Sequence, residues 1–212
     1  MRMLTALKPV RNLRLGQLGV RASLRASIVV GLLCIFLLGA GPAQPSVLGV
    51  HPNAASSRPE VAALKGVVPT PAVRLKVWGF EVYDARLWTP VGFRHGQALQ
   101  FPFALELQYL RKLEGATIAS RSIDEMRRLG NFSDAQAQSW LVAMRELFPN
   151  VGVGDRITCI NLPGEGVEFW VNGQRVGAMK DPVFSRLFLG IWLDERTSEP
   201  KLRAQLLQGL QP

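Results

Sequence analysis

Tyr109 and Arg111 are the strongest candidates in this chain for a polar reactive pair. Residues 103–113 alternate cleanly. Phe103, Leu105, Leu107, Tyr109, Arg111 and Leu113 fall on one side, and Ala104, Glu106, Gln108, Leu110 and Lys112 on the other, as in a half-buried antiparallel strand. A phenol beside a guanidinium at the end of an apolar face can hold a carboxylate or polarise a carbonyl. Tyr83, the only other tyrosine, shares a face with Ala85 and Leu87, and Arg74 lies near the start of the same long apolar stretch. Each residue has a plainer reading. Arg111 can mark the strand's exit into solvent, and both tyrosines can be core aromatics with satisfied hydroxyls.

The other common catalytic constellations are missing. His51 falls in a Pro- and Ser-rich stretch and His95 beside Gly96 in a loop pattern, so no Ser-His or Cys-His pair is in prospect. Cys34 lies in an apolar leader, which leaves Cys159 without a partner for zinc or a disulfide. Cys159 reads as a small buried hydrophobe in a strand. The sequence carries neither a phosphate-binding loop nor a dinucleotide fingerprint. No metal and no cofactor is expected.

Stepping from these residues to the chain that must position them, charge is the first guide. The first 43 residues hold Arg2, Lys8, Arg11, Arg14, Arg21 and Arg25 and no acid. The apolar run 28–38 and the small residues 39–43 follow. A basic segment, a short apolar core and small residues in that order make a secretory signal. The expectation is cleavage after Ala43 and a periplasmic or secreted product. An uncleaved N-terminal anchor is the alternative, and the run is short against the ~20 residues of a membrane span. Without these 43 residues, 19 basic side chains face 16 acidic ones, so the net charge of +9 largely describes the leader. No clustered basic face remains, and nucleic-acid binding drops out.

Residues 44–71 read as a flexible linker, with room for a short strand over 63–68. The domain proper is expected over 72–212. Residues 73–88 form a long apolar stretch whose alternation changes phase: Leu75 and Val77, then Trp78, Phe80 and Val82, then Tyr83, Ala85 and Leu87. A bulge at Gly79, or a strand covered on both faces, accounts for that. Ile118, Ile123, Met126 and Leu129 give a helical stripe stopped by Gly130, with Ser122 and Glu125 as a possible capping box. A second helix spans about 133–148. Three strands follow at 155–161, 167–171 and 174–179, the last two joined by Asn172-Gly173, a type I′ hairpin signal. Asp181-Pro182 opens a helix that is apolar nearly all round, and a last amphipathic helix lies near 199–208. Strands, helices, strands and helices in that order indicate an α+β fold, a largely antiparallel sheet packed on one face by helices.

One string is more specific than this pattern. Gly154-Asp155, the turns Pro163-Gly164-Glu165-Gly166 and Asn172-Gly173, Asp181-Pro182 and Ile191-Trp192-Leu193-Asp194, with Val82–Trp88 upstream, resemble the bacterial chalcone-isomerase-like family over roughly residues 74–209. The resemblance implies an open-faced β-sandwich with a cleft between sheet and helices. It also implies a site drawn from an arginine and a threonine on the sheet, a tyrosine and an asparagine near the first helix, and a hydroxyl near the later helix. Here the threonine place falls near Trp78, the tyrosine near Ile118, the asparagine near Glu125 and the hydroxyl near Ile191. The arginine falls near Val68 or Arg74. Relatives on this fold include fatty-acid binders and non-catalytic helper proteins.

Two expectations follow for function. The first is a non-catalytic binder of a small apolar ligand, a fatty acid or an aromatic polyketide-like molecule. Arg74, Tyr83, Tyr109 and Arg111 would meet its head and Trp78, Phe188 and Trp192 its tail, although Phe188 and Trp192 can equally be helix-to-sheet packing. The second is an isomerase of the chalcone isomerase type, with Tyr109 as acid or base and Arg111 as electrophilic support. Membrane contact is expected only through the leader.

Overall fold

The computed structural model of the protein describes residues 58–212. The expected leader, its cleavage point and the first part of the expected linker lie outside the described residues. The linker reading gives way from residue 58 onward. A short helix, α1 (Pro59–Ala62), and a strand, β1 (Val67–Pro69), already belong to the fold.

Seven strands make one antiparallel sheet. β3 (Phe80–Pro90), β4 (Phe103–Tyr109), β5 (Arg156–Leu162), β6 (Gly166–Val171) and β7 (Gln174–Met179) follow one another across it. β1 and β2 (Val73–Val77) pair in succession along the free edge of β3. The phase change read at Gly79 is therefore a reversal of the chain, and the bulge lies instead at Val82, between the pairs Leu75–Tyr83 and Lys76–Glu81. Trp78 and Gly79 form the tight turn between β2 and β3, with φ of 49° and 84°. Asn172 and Gly173, at 50° and 82°, make the expected turn between β6 and β7.

Register decides which residues face the helices. Tyr83 stands opposite Tyr109, Ala85 opposite Leu107 and Leu87 opposite Leu105, and Leu105 in turn stands opposite Cys159. These side chains meet α2 (Gly115–Leu129), α3 (Asp134–Leu147) and α4 (Pro182–Leu193) in one apolar layer. α5 (Pro200–Leu206) packs by β2 and β3. Asp181 caps α4 by accepting from the Val183 and Phe184 amides, and its other carboxylate oxygen accepts from Trp140 Nε1 at 3.0 Å. Ser133 and Gln136 form a reciprocal capping box on α3.

The capping box read at Ser122 and Glu125 is a misreading. α2 begins seven residues earlier, and Ser122 Oγ donates to the Ile118 carbonyl inside the helix. The start at Gly115 is set by tertiary contact, since a Cβ there would collide with the Phe148 carbonyl. His95 lies in a short 3-10 helix, His95–Gln100, rather than in an irregular loop.

Candidate functional site

β3 and β4 set two phenols side by side on the helix-facing side of the sheet. The rings of Tyr83 and Tyr109 lie 6.1 Å apart, edge to face at 77°. Trp192, in the last turn of α4, donates from Nε1 to the Tyr83 hydroxyl at 3.0 Å. Phe188, one turn earlier, packs against Trp192 at 5.5 Å. Tyr109 is buried, and among the described residues its hydroxyl has no hydrogen-bond partner. Tyr83 accepts from Trp192 but donates to nothing among those residues. Tyr83 is half-buried, and neither phenolic oxygen is both fully buried and without a partner, so each phenol keeps a proton it can donate to an incoming group.

The local field keeps both protons in place. Burial raises the Tyr83 pKa well above the usual phenol value; the Trp192 hydrogen bond opposes this, and the carboxylates of Glu199 and Glu125 add to it. Tyr109 is raised too, first by burial and then by Tyr83. Both groups are therefore hydrogen-bond donors at neutral pH, not bases. Glu125 on α2 and Glu199, just before α5, give the pair an acidic margin.

Glu199 itself is pushed above the usual carboxylate range by burial and then by Glu125. Because its folded pKa exceeds its unfolded value, stability linked to Glu199 is fully present below the unfolded value. It is lost as pH rises through the folded value. The Glu199→Gln variant should thus unfold at higher urea than the parent at pH 7, and this gain should vanish on acidification below about pH 4. Urea titrations at the two pH values test this.

The remaining expected site residues lie elsewhere. Arg74 points to the outer surface, bound by Asp84 at 2.7 and 2.9 Å and by Glu81 at 2.9 Å. Trp78 sits at the exposed β2–β3 turn. Arg111 lies past the end of β4, with its guanidinium over the Phe80 ring at 5.6 Å. Arg111 keeps the register of β4 beyond its last residue, and what parts it from the phenols is its place at the end of the sheet beside Phe80. The structure thus brings together Tyr83, Tyr109, Phe188 and Trp192 and separates Arg74, Trp78 and Arg111 from them. Arg111 does not support Tyr109 as an electrophile in this arrangement.

Glu199 went unread in the sequence because nothing local marks it; it is one acid before Pro200, and only the fold carries it to Tyr83. Burial also raises the Cys159 thiol well above its ordinary pKa. Among the described residues, no group of three or more His, Cys, Asp or Glu could hold a metal ion. The two best-formed hollows are open depressions. One, about 170 Å³, runs along the β6–β7 hairpin by Glu168 and Arg175. The other, about 380 Å³, lies between Val73, Arg74, Gln205 and Gln208. Neither is lined by the phenols.

This arrangement of sheet and helices is matched at the family level. Residues 63–208 fit the family described as chalcone isomerase-like. The chain belongs to that family. A curated relative in Haemophilus influenzae, an uncharacterized protein, is 34% identical over 131 residues, covering 61% of this chain and 63% of that one. The match thus spans less than two thirds of the relative's length. Among solved structures, a fatty-acid binding protein of Arabidopsis thaliana aligns with a TM-score of 0.48 and 16% identity, covering 67% of this chain and 83% of that one. Within this chalcone isomerase-like chain, Ile118 and Ile191 are partly buried against the core, and Glu125 stands at the acidic margin.

Proposed function

We propose that this chalcone isomerase-like domain is a non-catalytic binding protein for a small apolar ligand that carries one neutral acceptor such as a carbonyl. The observation that carries this is the phenol pair: two adjacent, protonated donors, Tyr83 and Tyr109, face the helix layer with undonated hydrogens. The fit with a small-molecule site is chemical, since few polar groups converge within an apolar lining. Glu125 and Glu199 refine the ligand. Their carboxylates already oppose negative charge at Tyr83, so they would disfavour a carboxylate head and favour a ketone, ester, amide or protonated acid. A long-chain or aromatic carbonyl compound fits this better than an ionised fatty acid.

Catalysis is not favoured. Two phenols held well above neutral pKa supply no base, and the Arg111 guanidinium expected as oxyanion support stands over the Phe80 ring instead. Entry would require Trp192, which holds the Tyr83 hydroxyl, to give way. Export is part of the same reading and rests on the basic, then apolar, then small-residue order of residues 1–43.

Titration of the purified protein with a long-chain methyl ketone, a methyl ester and the matching fatty acid tests this, read by Trp192-sensitive fluorescence. The ketone and ester should bind more tightly than the ionised acid, and Tyr109→Phe should weaken them about fivefold, the equivalent of one hydrogen bond of ~1 kcal/mol. Failure of all three ligands to bind, or indifference to Tyr109→Phe, would overturn the reading. Turnover of an enone substrate that Tyr109→Phe abolishes would replace it with the isomerase.

A further inference from the structure

We infer that the β2–β3 hairpin tip is a membrane-interface contact, inserting Trp78 and Phe80 into the headgroup region of a lipid bilayer. Trp78 is 57% exposed and Phe80 63% exposed, with Val77 exposed beside them. Continuing the β3–β4 register past its last pairs places Phe80 across from Lys112 and Glu81 across from Arg111. Continuing β4–β5 toward the Leu113–Val151 bridge places Val153, 75% exposed, across from Arg111. Four exposed apolar side chains and two cations therefore share one end of the sheet.

The turn is built in a way that keeps the indole outward. Trp78 adopts a left-handed conformation at φ 49°, uncommon for a bulky residue and costly unless something holds it. A Cβ on Gly79 would meet no atom within 4 Å, so the tip projects into open space. Nothing in the core requires a tryptophan there. Aromatic rings with a polar edge, flanked by Arg and Lys that can reach past them, are the side chains that settle at a bilayer interface. Arg111 already lies over the Phe80 ring. Lys76 and Arg74 add charge, but Glu81 and Asp84 pair with them. The contact is therefore led by the aromatics and only assisted by anionic lipid.

The alternative occupants fit less well. Four side chains of this size present less than about 500 Å², taking roughly 150–250 Å² for each fully exposed aromatic. A stable protein partner needs about 800 Å² on each side. The tip is also convex, whereas apolar segments dock in grooves. Among the described residues no helix is long and apolar enough to cross a membrane, so this contact would hold the domain at the surface.

The test is fluorescence quenching of the full chain by phosphatidylcholine vesicles, with and without phosphatidylglycerol, whose acyl chains are brominated. Four other tryptophans report on the rest of the chain, so Trp78→Phe isolates the tip even if residues 1–43 also bind lipid. Trp78→Phe should remove most of the quenched signal. Phe80→Ser should raise the lipid needed for half-maximal Trp78 quenching about tenfold, as expected for one aromatic side chain withdrawn from an apolar phase. Quenching that survives Trp78→Phe unchanged, or no quenching at all, overturns the inference. So does concentration-dependent self-association that Trp78→Phe abolishes without any lipid quenching, because the tip would then be an interface between copies.

Discussion

Replacing Phe169 with alanine should destabilise the domain by about 3–5 kcal/mol, the range for emptying a buried aromatic site. Phe169 is fully buried on β6. Phe148 meets it at 5.0 Å and 81°, Phe188 at 5.2 Å and 89°, and Phe184 at 6.4 Å and 77°. These rings come from the end of α3 and from two turns of α4, so they cannot all collapse into one void. Phe169→Leu keeps most of the volume and should cost far less. The aromatic chain runs on from Phe188 to Trp192 and Tyr83. Loosening Phe169 should therefore also weaken the Trp192–Tyr83 hydrogen bond. Urea denaturation measures the first effect and near-ultraviolet circular dichroism the second. A loss below about 1 kcal/mol would mean that the helix layer repacks freely.

That cluster was largely legible in the sequence, because each of its parts has a local signal. Asn172-Gly173 fixes the β6–β7 hairpin, Asp181-Pro182 fixes the start of α4, and the apolar circumference of α4 requires burial on several sides. The misreadings fall where the deciding contact is distant or the turn residue is unusual. Trp78 is not a turn residue by propensity, so two strands read as one. The start of α2 is set by the close approach of Phe148 to Gly115, thirty-odd positions on, and the local Ser122–Glu125 pattern misled. Residues 58–69 looked like linker because their composition is loose and their anchors lie far along the chain. Alternation put Tyr109 on the buried side of its strand, where it lies, but it carries no information about where a strand ends, and Arg111 falls beyond β4. Glu199 comes to Tyr83 only through the packing of α5 on β2 and β3.

The anchoring of residues 58–62 leads to the second large effect. Glu106 was read on the outward side of its strand, and it is there, yet its side chain is only 3% exposed. Arg58 holds it with two hydrogen bonds, Nε to Oε2 at 2.6 Å and Nη2 to Oε1 at 3.2 Å, and Trp88 Nε1 donates to Oε2 at 3.3 Å. The guanidiniums of Arg58 and Arg86 lie 5.4 and 5.8 Å from the Trp88 ring centre. Next to them on the same face Glu60 is wholly buried, with Arg156 Nη2 at 3.7 Å and the Thr158 hydroxyl donating to it at 3.3 Å. The second face of the sheet is thus closed by charge pairs under low exposure, where the first is closed by aromatics. Removing one partner of such a pair costs more than the pair contributes, since the other is left buried and ionised.

The two partners are not equivalent. Arg58 is 24% exposed and can turn to water once Glu106 is gone, but Glu106 cannot do so once Arg58 is gone. Arg58→Ala should therefore cost about 3–5 kcal/mol at neutral pH, and Glu106→Gln distinctly less. In Arg58→Ala the Glu106 carboxylate is left buried without its cation, and that is the source of the larger cost. Adding Glu106→Gln to Arg58→Ala should recover part of the lost stability at pH 7, a non-additivity that a double-mutant cycle in urea resolves. Equal costs for the two single variants, or strict additivity in the double variant, would mean that residues 58–62 are held by packing against Trp88 and not by the carboxylate.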